Sequence, residues 1–566
     1  MKNPIKAILL LAVLLFQFNC QDNFLEVAPT SSLSFNELSS KEGIEGALIG
    51  TYSMLLGRNG FYGDGSNWLW GSIMGGDANK GSSAGDQSIV NEIQAFNAQS
   101  NNPAILQKYR SLYEGVARAN TTLRLLQNAE EKVTSADKIR IEAEARFLRA
   151  HYYFELKKIF NNTPYVDEYW DEVTPVRNDK DLWPFIEADF QFAYEQLPET
   201  QAQLGRANKW AAGAYLAKAY LYQNNFSSAK AVFDQVISNG VTTSGEKLGL
   251  LPNYPDAFHS IQDNSRESLF ATQAAVSTGS VVNANLGMVL NFPLSGSDGP
   301  GGCCGFFQPS LELANSFRTN VEGLPLLDET YNLPQHHLIN DLSVSSDEEF
   351  IMDKGNLDPR LDHSIGRRGI PYLDWGLHPG KNWIRDQAYA GPYSPKKFSY
   401  FRSGIGIEND LSSWTPGFTA VNYTIIRFAD VLLMAAEAEI ELNDLEKARD
   451  YINRVRSRAK NSNLIDTDAN YVIDLYPPFQ DQSQARLAVR FERKLELAME
   501  GHRFYDLIRW GIAEATLNFY LEYEDQFITP PFAGARFTAG KNEYLPIPQT
   551  EIDLQGADII LQNPGY

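Results

Sequence analysis

Two tryptophans two positions apart, Trp68 and Trp70, follow Phe61-Tyr62 in a glycine-rich stretch, and Tyr372, Trp375, Trp383, Tyr389, Tyr393 and Trp414 punctuate a second irregular one. An indole or phenol face offers the C–H side of a pyranose ring an apolar platform, while neighbouring Asp, Asn, Arg or Gln side chains hydrogen-bond its hydroxyls. On that chemistry the candidate ligand contacts are Trp68 and Trp70 with nearby Asp77, the glycine-rich stretch 285–307 with Asn285 and Phe306, and Trp375 or Trp383. Core packing is the ordinary fate of any one such ring. Several rings in polar loops nevertheless lead us to expect at least one open stacking face.

Catalytic chemistry finds no comparable support. The chain has no His-Glu-x-x-His helix, no phosphate-binding Gly-x-x-x-x-Gly-Lys and no dinucleotide fingerprint after a strand. Neither catalytic residues nor a cofactor is expected. Among seven histidines, His336 and His337 are sequence neighbours, which points them apart in a helix or strand, so no metal site is expected. Two carboxylates are enough for a glycosidase. The conspicuous ones, Glu492, Glu496 and Glu500, recur at helical spacing, where ion-paired structural roles prevail.

The elements that must position these residues are mostly helical. Tyr109, Leu112, Tyr113, Val116, Ala117 and Asn120 recur at helix spacing, and so do Ala143, Phe147, Ala150 and Phe154. Leu216, Ala217 and Tyr220, then Ala229, Phe233 and Val236 across an Asn224-Asn225 turn, give the small-large spacing of a tetratricopeptide-like repeat. The pattern returns at Leu432, Ala435, Ala436, Ala448, Ile452 and Val455 around Asn443-Asp444, with Glu439 where the repeat's aromatic belongs. Residues 241–424 interrupt it with Pro, Gly, Ser and aromatic residues, and are expected to form short helices, hairpins and ordered loops. This divides the chain into residues 1–19, 20–240, 241–424 and 425–566, of which the last two can count as one domain.

Residues 1–6 carry two lysines, residues 7–18 are almost wholly apolar, and Cys20 follows. The apolar run is shorter than the roughly 20 residues of a membrane-spanning helix and reads as a secretory signal peptide. A cysteine at its end is where bacterial lipoproteins are cleaved and acylated, although Phe18 and Asn19 stand where a small residue is usual. A net charge of −21 disfavours nucleic acid and anionic membranes as partners. Arg367-Arg368 and Lys396-Lys397 are the candidates for a local basic patch. The other two cysteines, Cys303 and Cys304, lie in Gly-Pro-Gly-Gly-Cys-Cys-Gly. Across a trans peptide their Cα atoms would be about 3.8 Å apart, below the usual disulfide range, so a vicinal bridge and free thiols both stay open.

Residues 490–510, RFERKLELAMEGHRFYDLIRW, together with Tyr544-Leu545-Pro546-Ile547-Pro548 and the terminal Gln562-Asn563-Pro564-Gly565-Tyr566, resemble the C-terminal elements of the SusD/RagB family. Residues 427–438, Asp358-Pro359-Arg360, Gly76-Asp77-Ala78, Ala150-His151-Tyr152-Tyr153-Phe154 before Pro164, and Phe24-Leu25-Glu26 before Pro29 agree in order and spacing. The 490–510 segment has a structural reading of its own: Phe491, Leu495, Ala498 and Met499 form an apolar face, and Glu500 is expected to pair with Arg503. The resemblance implies a mostly α fold, a tetratricopeptide-like scaffold carrying a loop-rich binding part. It implies a non-enzymatic outer-membrane lipoprotein anchored through Cys20 and facing the exterior. Such a protein captures an oligosaccharide and hands it to a SusC-like TonB-dependent transporter. A peptide-capturing lid and a glycoside hydrolase are the alternative readings. Hand-over requires moderate affinity, micromolar to millimolar, or about −8 to −4 kcal/mol.

Overall fold

A computed structural model describes residues 35–57, 60–129, 133–528 and 531–566. The apolar N-terminal run and Cys20 lie outside the described residues. The fold is mostly α. Helix α1 (Lys41–Tyr52) packs on α2 (Pro103–Gln127), and α3 (Ser135–Phe160), α4 (Trp183–Gln196), α5 (Lys209–Tyr222) and α6 (Phe226–Asn239) follow, each against its predecessor. After a long irregular region come α7 (Phe428–Glu441), α8 (Leu445–Asn461), α9 (Gln482–Glu496), α10 (Arg503–Arg509) and α11 (Ala513–Glu524). Helix α7 packs on α6, so the helical layer runs on as though the intervening residues were absent. No helix of the described residues is long and apolar enough to cross a membrane.

Caps and small residues explain these helices. Asn102, Thr134, Asn208, Asn225 and Asp444 each accept a first-turn backbone N–H, satisfying a donor the helix leaves unpaired. Asn224 and Asn443 take positive φ at the turns before α6 and α8. Gly213 in α5 is needed for close approach, because a Cβ there would stand 2.9 Å from the Tyr194 ring and 3.1 Å from Val236. On α2 the buried face holds Tyr109, Leu112, Val116 and Asn120, whereas Ala117 is exposed and Gly115 and Ala119 replace it. Glu439 is buried in α7 and accepts from Lys230 of α6 at 2.6 Å, so an interhelix ion pair occupies the place expected of an aromatic.

The irregular region is tied down at its ends and middle. Strand β2 (Ser268–Ala271) pairs antiparallel with β4 (Thr424–Arg427), bringing the chain back to the helical layer where it left. Strand β1 (Ala78–Gly81) pairs antiparallel with β3 (Phe306–Pro309), joining the loop after Trp70 to the glycine-rich stretch. Beneath them lies a buried charge lattice. Arg427 donates to Glu267 (2.9 Å), Glu496 (2.7 Å) and Glu500 (2.8 Å), Arg360 to Asp358 and Glu492, Arg456 to Glu492, and Arg458 to Glu267 and Glu496. The expected Glu500–Arg503 pair is replaced by Glu500 with Arg427 and Lys397, because Glu500 faces inward with its helix already ended.

Candidate functional site

Seven side chains expected at the ligand are all buried, and that expectation is corrected by where their polar atoms go. Trp68 and Trp70 lie in a short π-helical turn, Trp68–Ile73, and are 2% and 1% exposed. Their indole N–H groups donate to the carbonyls of Phe61 (3.0 Å) and Tyr62 (2.8 Å), and Phe307 meets Trp68 edge-on. Gly71 allows this depth, since any Cβ there would collide with the Gly501 backbone. The carboxylate of Asp77 accepts from Met499 N–H (3.1 Å) and Ser72 Oγ (3.0 Å), which staples this turn to the segment after α9; burial pushes its pKa up to about 6. The Asn285 side chain donates to the Val421 carbonyl, and Phe306 is inside β3. Trp375 donates to the Tyr400 carbonyl at 2.9 Å, and Trp383 stands edge-on to Tyr372 and His378. With Phe292 these rings form a small second core rather than open platforms.

That second core carries the glycine-rich loop. Leu294 N–H donates to the Trp383 carbonyl (3.0 Å), Gly301 N–H to Tyr400 Oη (2.8 Å), and Ser295 Oγ to the Pro300 carbonyl (3.1 Å). Gly301, at φ +72°, has Phe292 where a side chain would be. At the loop's end Cys303 and Cys304 form a disulfide across a cis peptide, with Cys304 buried and Cys303 half-buried.

One tryptophan is outside. Trp414 is 60% exposed, its ring edge against Phe418 at 5.8 Å. The neighbouring Thr415 hydroxyl donates to the Gly301 carbonyl at 2.6 Å, and Pro416 lies beside Gly302, so the Trp414 loop is fastened to the disulfide loop. A polar border is built from the other side: Ser82 N–H donates to the Gly305 carbonyl, and Arg385 donates to Ser82 Oγ (3.1 Å) and Asp86 (2.5 Å). Lys80, its pKa lowered to about 8 by burial, donates to the carbonyls of Ser83 (2.8 Å) and Asp86 (2.7 Å) and fixes that loop. The Trp414 loop is thus fastened to the disulfide loop at Gly301, and residues 82–86 with Arg385 meet the same loop at Gly305. This arrangement can stack a ring and hydrogen-bond its substituents. The signal for Trp414 was in its Ser-Ser-Trp-Thr-Pro-Gly setting, whose turn-forming neighbours offer no apolar partner to bury it.

The expected basic patch does not form among the described residues: Arg368 is half-buried and donates to the Ser345 and Ser346 carbonyls. Arg367 pairs with Asp362, Lys397 with Glu500, and Lys396 donates to the Asp362 and Pro371 carbonyls, all buried. His336 and His337 each donate a ring N–H to a backbone carbonyl, those of Thr330 and Asn332. Among the described residues no group of three or more His, Cys, Asp or Glu side chains is placed to hold a metal ion.

Comparison with known proteins gives the fold its relatives. A model of the SusD family matches residues 266–566, and a second, described as starch-binding associating with outer membrane, matches residues 23–221. A SusD-like protein P25 of Formosa agariphila is 26% identical over 558 residues, 93% of each chain. A solved laminarin-binding SusD-like protein superposes with a TM-score of 0.68 at 24% identity, covering 93% of this chain and 100% of its own. Surface glycan-binding protein A from Bacteroides thetaiotaomicron, solved in complex with laminarihexaose, gives 0.65 at 21% identity, covering 93% and 99%.

Proposed function

The chain belongs to the SusD family, and we propose that it is a non-catalytic glycan-binding protein that captures an oligosaccharide outside the cell. In this reading Cys20 carries the lipid anchor to the outer membrane. The captured sugar passes to a SusC-like TonB-dependent transporter, over which the protein sits as a lid. Names of relatives that bind laminarin and laminarihexaose support a glycan as ligand, and a family description that speaks of association with the outer membrane supports the location.

The observation that carries the reading is the exposed Trp414, held over the disulfide loop by the Thr415–Gly301 hydrogen bond. An exposed indole on a loop fastened in this way presents a flat apolar face on which a pyranose ring can stack. Arg385 and Asp86, where residues 82–86 meet the disulfide loop at Gly305, supply both donors and acceptors on that loop's border, which suits hydroxyl groups. Titration calorimetry with a panel of neutral oligosaccharides that includes laminarihexaose tests it. Trp414→Ala is expected to raise Kd at least roughly ten-fold, about 1.4 kcal/mol, with thermal stability unchanged and no new reducing ends on prolonged incubation. An unchanged Kd would move the stacking site elsewhere, and accumulating reducing ends would make the protein a hydrolase.

A further inference from the structure

A second aromatic cavity lies in the helical body, made of elements that share no residue with the Trp414 face. Its volume is about 410 Å³, inside the range of roughly 300–1,000 Å³ usual for small-molecule sites. One wall is α2, where Tyr109 and Tyr113 stand with ring centroids 4.8 Å apart. The Tyr113 hydroxyl donates to the Pro164 carbonyl at 2.6 Å, so its ring is held upright. Trp170, half-buried, also lines the cavity, and its indole N–H donates to the Thr174 carbonyl at 2.8 Å. Asp171 braces that loop by accepting from the backbone N–H groups of Val173 (3.1 Å) and Thr174 (2.8 Å). The loop is thus a built structure that leaves Tyr169 and Val173 75% and 80% exposed.

The cavity's charges select its ligand. Glu551 accepts from Arg110 at 2.8 Å and Glu114 from Arg118 at 2.8 Å. Each carboxylate that lines the cavity already has a guanidinium partner, so nothing is left over to attract an ion of either sign. What remains is an aromatic lining with donors and acceptors at the rim, Gln555 among them. That combination suits a neutral polyol ring, its C–H face on Tyr113 or Trp170 and its hydroxyls toward Arg110, Glu551 and Gln555.

We propose that the groove lined by Tyr113 and Trp170 is a second binding site for neutral pyranose sugars, independent of the Trp414 face. The proposal rests on the reading of the protein as a glycan binder. Two contacts on one body raise the hold on a long chain through effective concentration while each stays weak enough to release.

The test uses ¹⁹F NMR on the full chain labelled with 5-fluorotryptophan, the Trp170 and Trp414 signals being assigned by their Phe variants. The probes are laminarihexaose, maltoheptaose and methyl β-glucopyranoside. The Trp170 resonance is expected to shift saturably, and to do so equally in Trp414→Ala. Gln555→Leu, a change at an exposed rim residue, should raise the Kd read at Trp170 at least three-fold and leave the Trp414 titration within two-fold of the unsubstituted protein. A Trp414 signal that titrates while Trp170 stays still overturns the groove and leaves the Trp414 reading standing. The reverse pattern overturns the Trp414 reading and leaves the groove. Two silent signals with all three probes overturn both, and a Trp170 shift that vanishes in Trp414→Ala shows one site felt at two places, which also overturns the proposal.

Discussion

Trp68 and Trp414 are the same side chain in similar polar surroundings, and the structure gives them opposite fates: 2% exposed against 60%. The difference is made by residues far away in the chain. Trp68 sinks because Phe307 meets its ring and because Gly71, three positions on, lies flat against Gly501. Those partners are hundreds of positions distant, so no local pattern around Trp68 announces them, and the expectation of an open platform there fails. Trp70, 1% exposed with its N–H satisfied by the Tyr62 carbonyl, behaves as core. Trp70→Ala should therefore cost about 3–5 kcal/mol of stability, as for other buried large-to-small changes. Chemical denaturation would read that loss, and calorimetry on the protein that remains folded should give an unaltered oligosaccharide Kd. A stable variant with weakened binding would return Trp70 to the ligand site.

The loops depend on one another as elements, and the Thr415 hydroxyl is the plainest joint between them. It donates to the Gly301 carbonyl and also accepts from Gly417 N–H at 3.2 Å, so it both links the Trp414 loop to the disulfide loop and shapes its own turn. Thr415→Val keeps the volume and removes both bonds. Hydrogen bonds of this kind are worth roughly 0.5–1.5 kcal/mol, so sugar affinity should fall about three- to ten-fold, read by calorimetry, with little change in melting temperature. A full-strength binder with a valine there would mean that Trp414 needs no such fastening. Helices such as α3, with Ala143, Phe147, Ala150 and Phe154 all buried, were legible in the sequence because periodicity is local and survives whatever the helix packs on. The loop face was not legible beyond its composition. It is assembled by the pairing of β1 with β3 and by hydrogen bonds between segments at residues 82–86, 294–305 and 414–417. Even within the helices an ionic solution can replace an apolar one, as Glu439 with Lys230 shows, because an opposite charge on a neighbouring helix cannot be seen from one helix alone.

Across the whole molecule two sets of buried groups bind protons differently from the unfolded chain, and they pull in opposite directions. Burial lowers His151, His259 and His502 to about 4 and His363 and His378 to about 3, from 6.5. Between those values and 6.5 the unfolded chain holds more protons, so stability rises with pH and is lost as pH falls below 6.5. Carboxylates held low by the arginine lattice, Asp358, Glu496 and Glu500 among them, act in the same direction below about 4.5. Burial does the reverse to Asp77, Asp263 and Glu524, raised to about 6, 7 and 8. These keep protons that the unfolded chain has released, so their contribution declines as pH rises to those values. Above 6.5 the histidines no longer act, and Glu524 dominates up to pH 8, where buried lysines lowered to about 8, such as Lys158 and Lys396, begin to oppose it. Glu524 is fully buried; one oxygen accepts from Glu312 N–H at 2.8 Å and the other, Oε2, has no hydrogen-bond partner among the described residues, as suits a protonated acid. Thermal unfolding should therefore show a maximum in melting temperature near pH 6.5 and a decline toward pH 8. Glu524→Gln places a neutral amide where the neutral acid stood, and it should flatten that decline and steepen the rise between about pH 4.5 and 6.5, where Glu524 had opposed the histidines. If the decline persists in the Gln variant, or the parent protein shows none, Glu524 is ionised in the folded protein and the proton it is assigned belongs elsewhere.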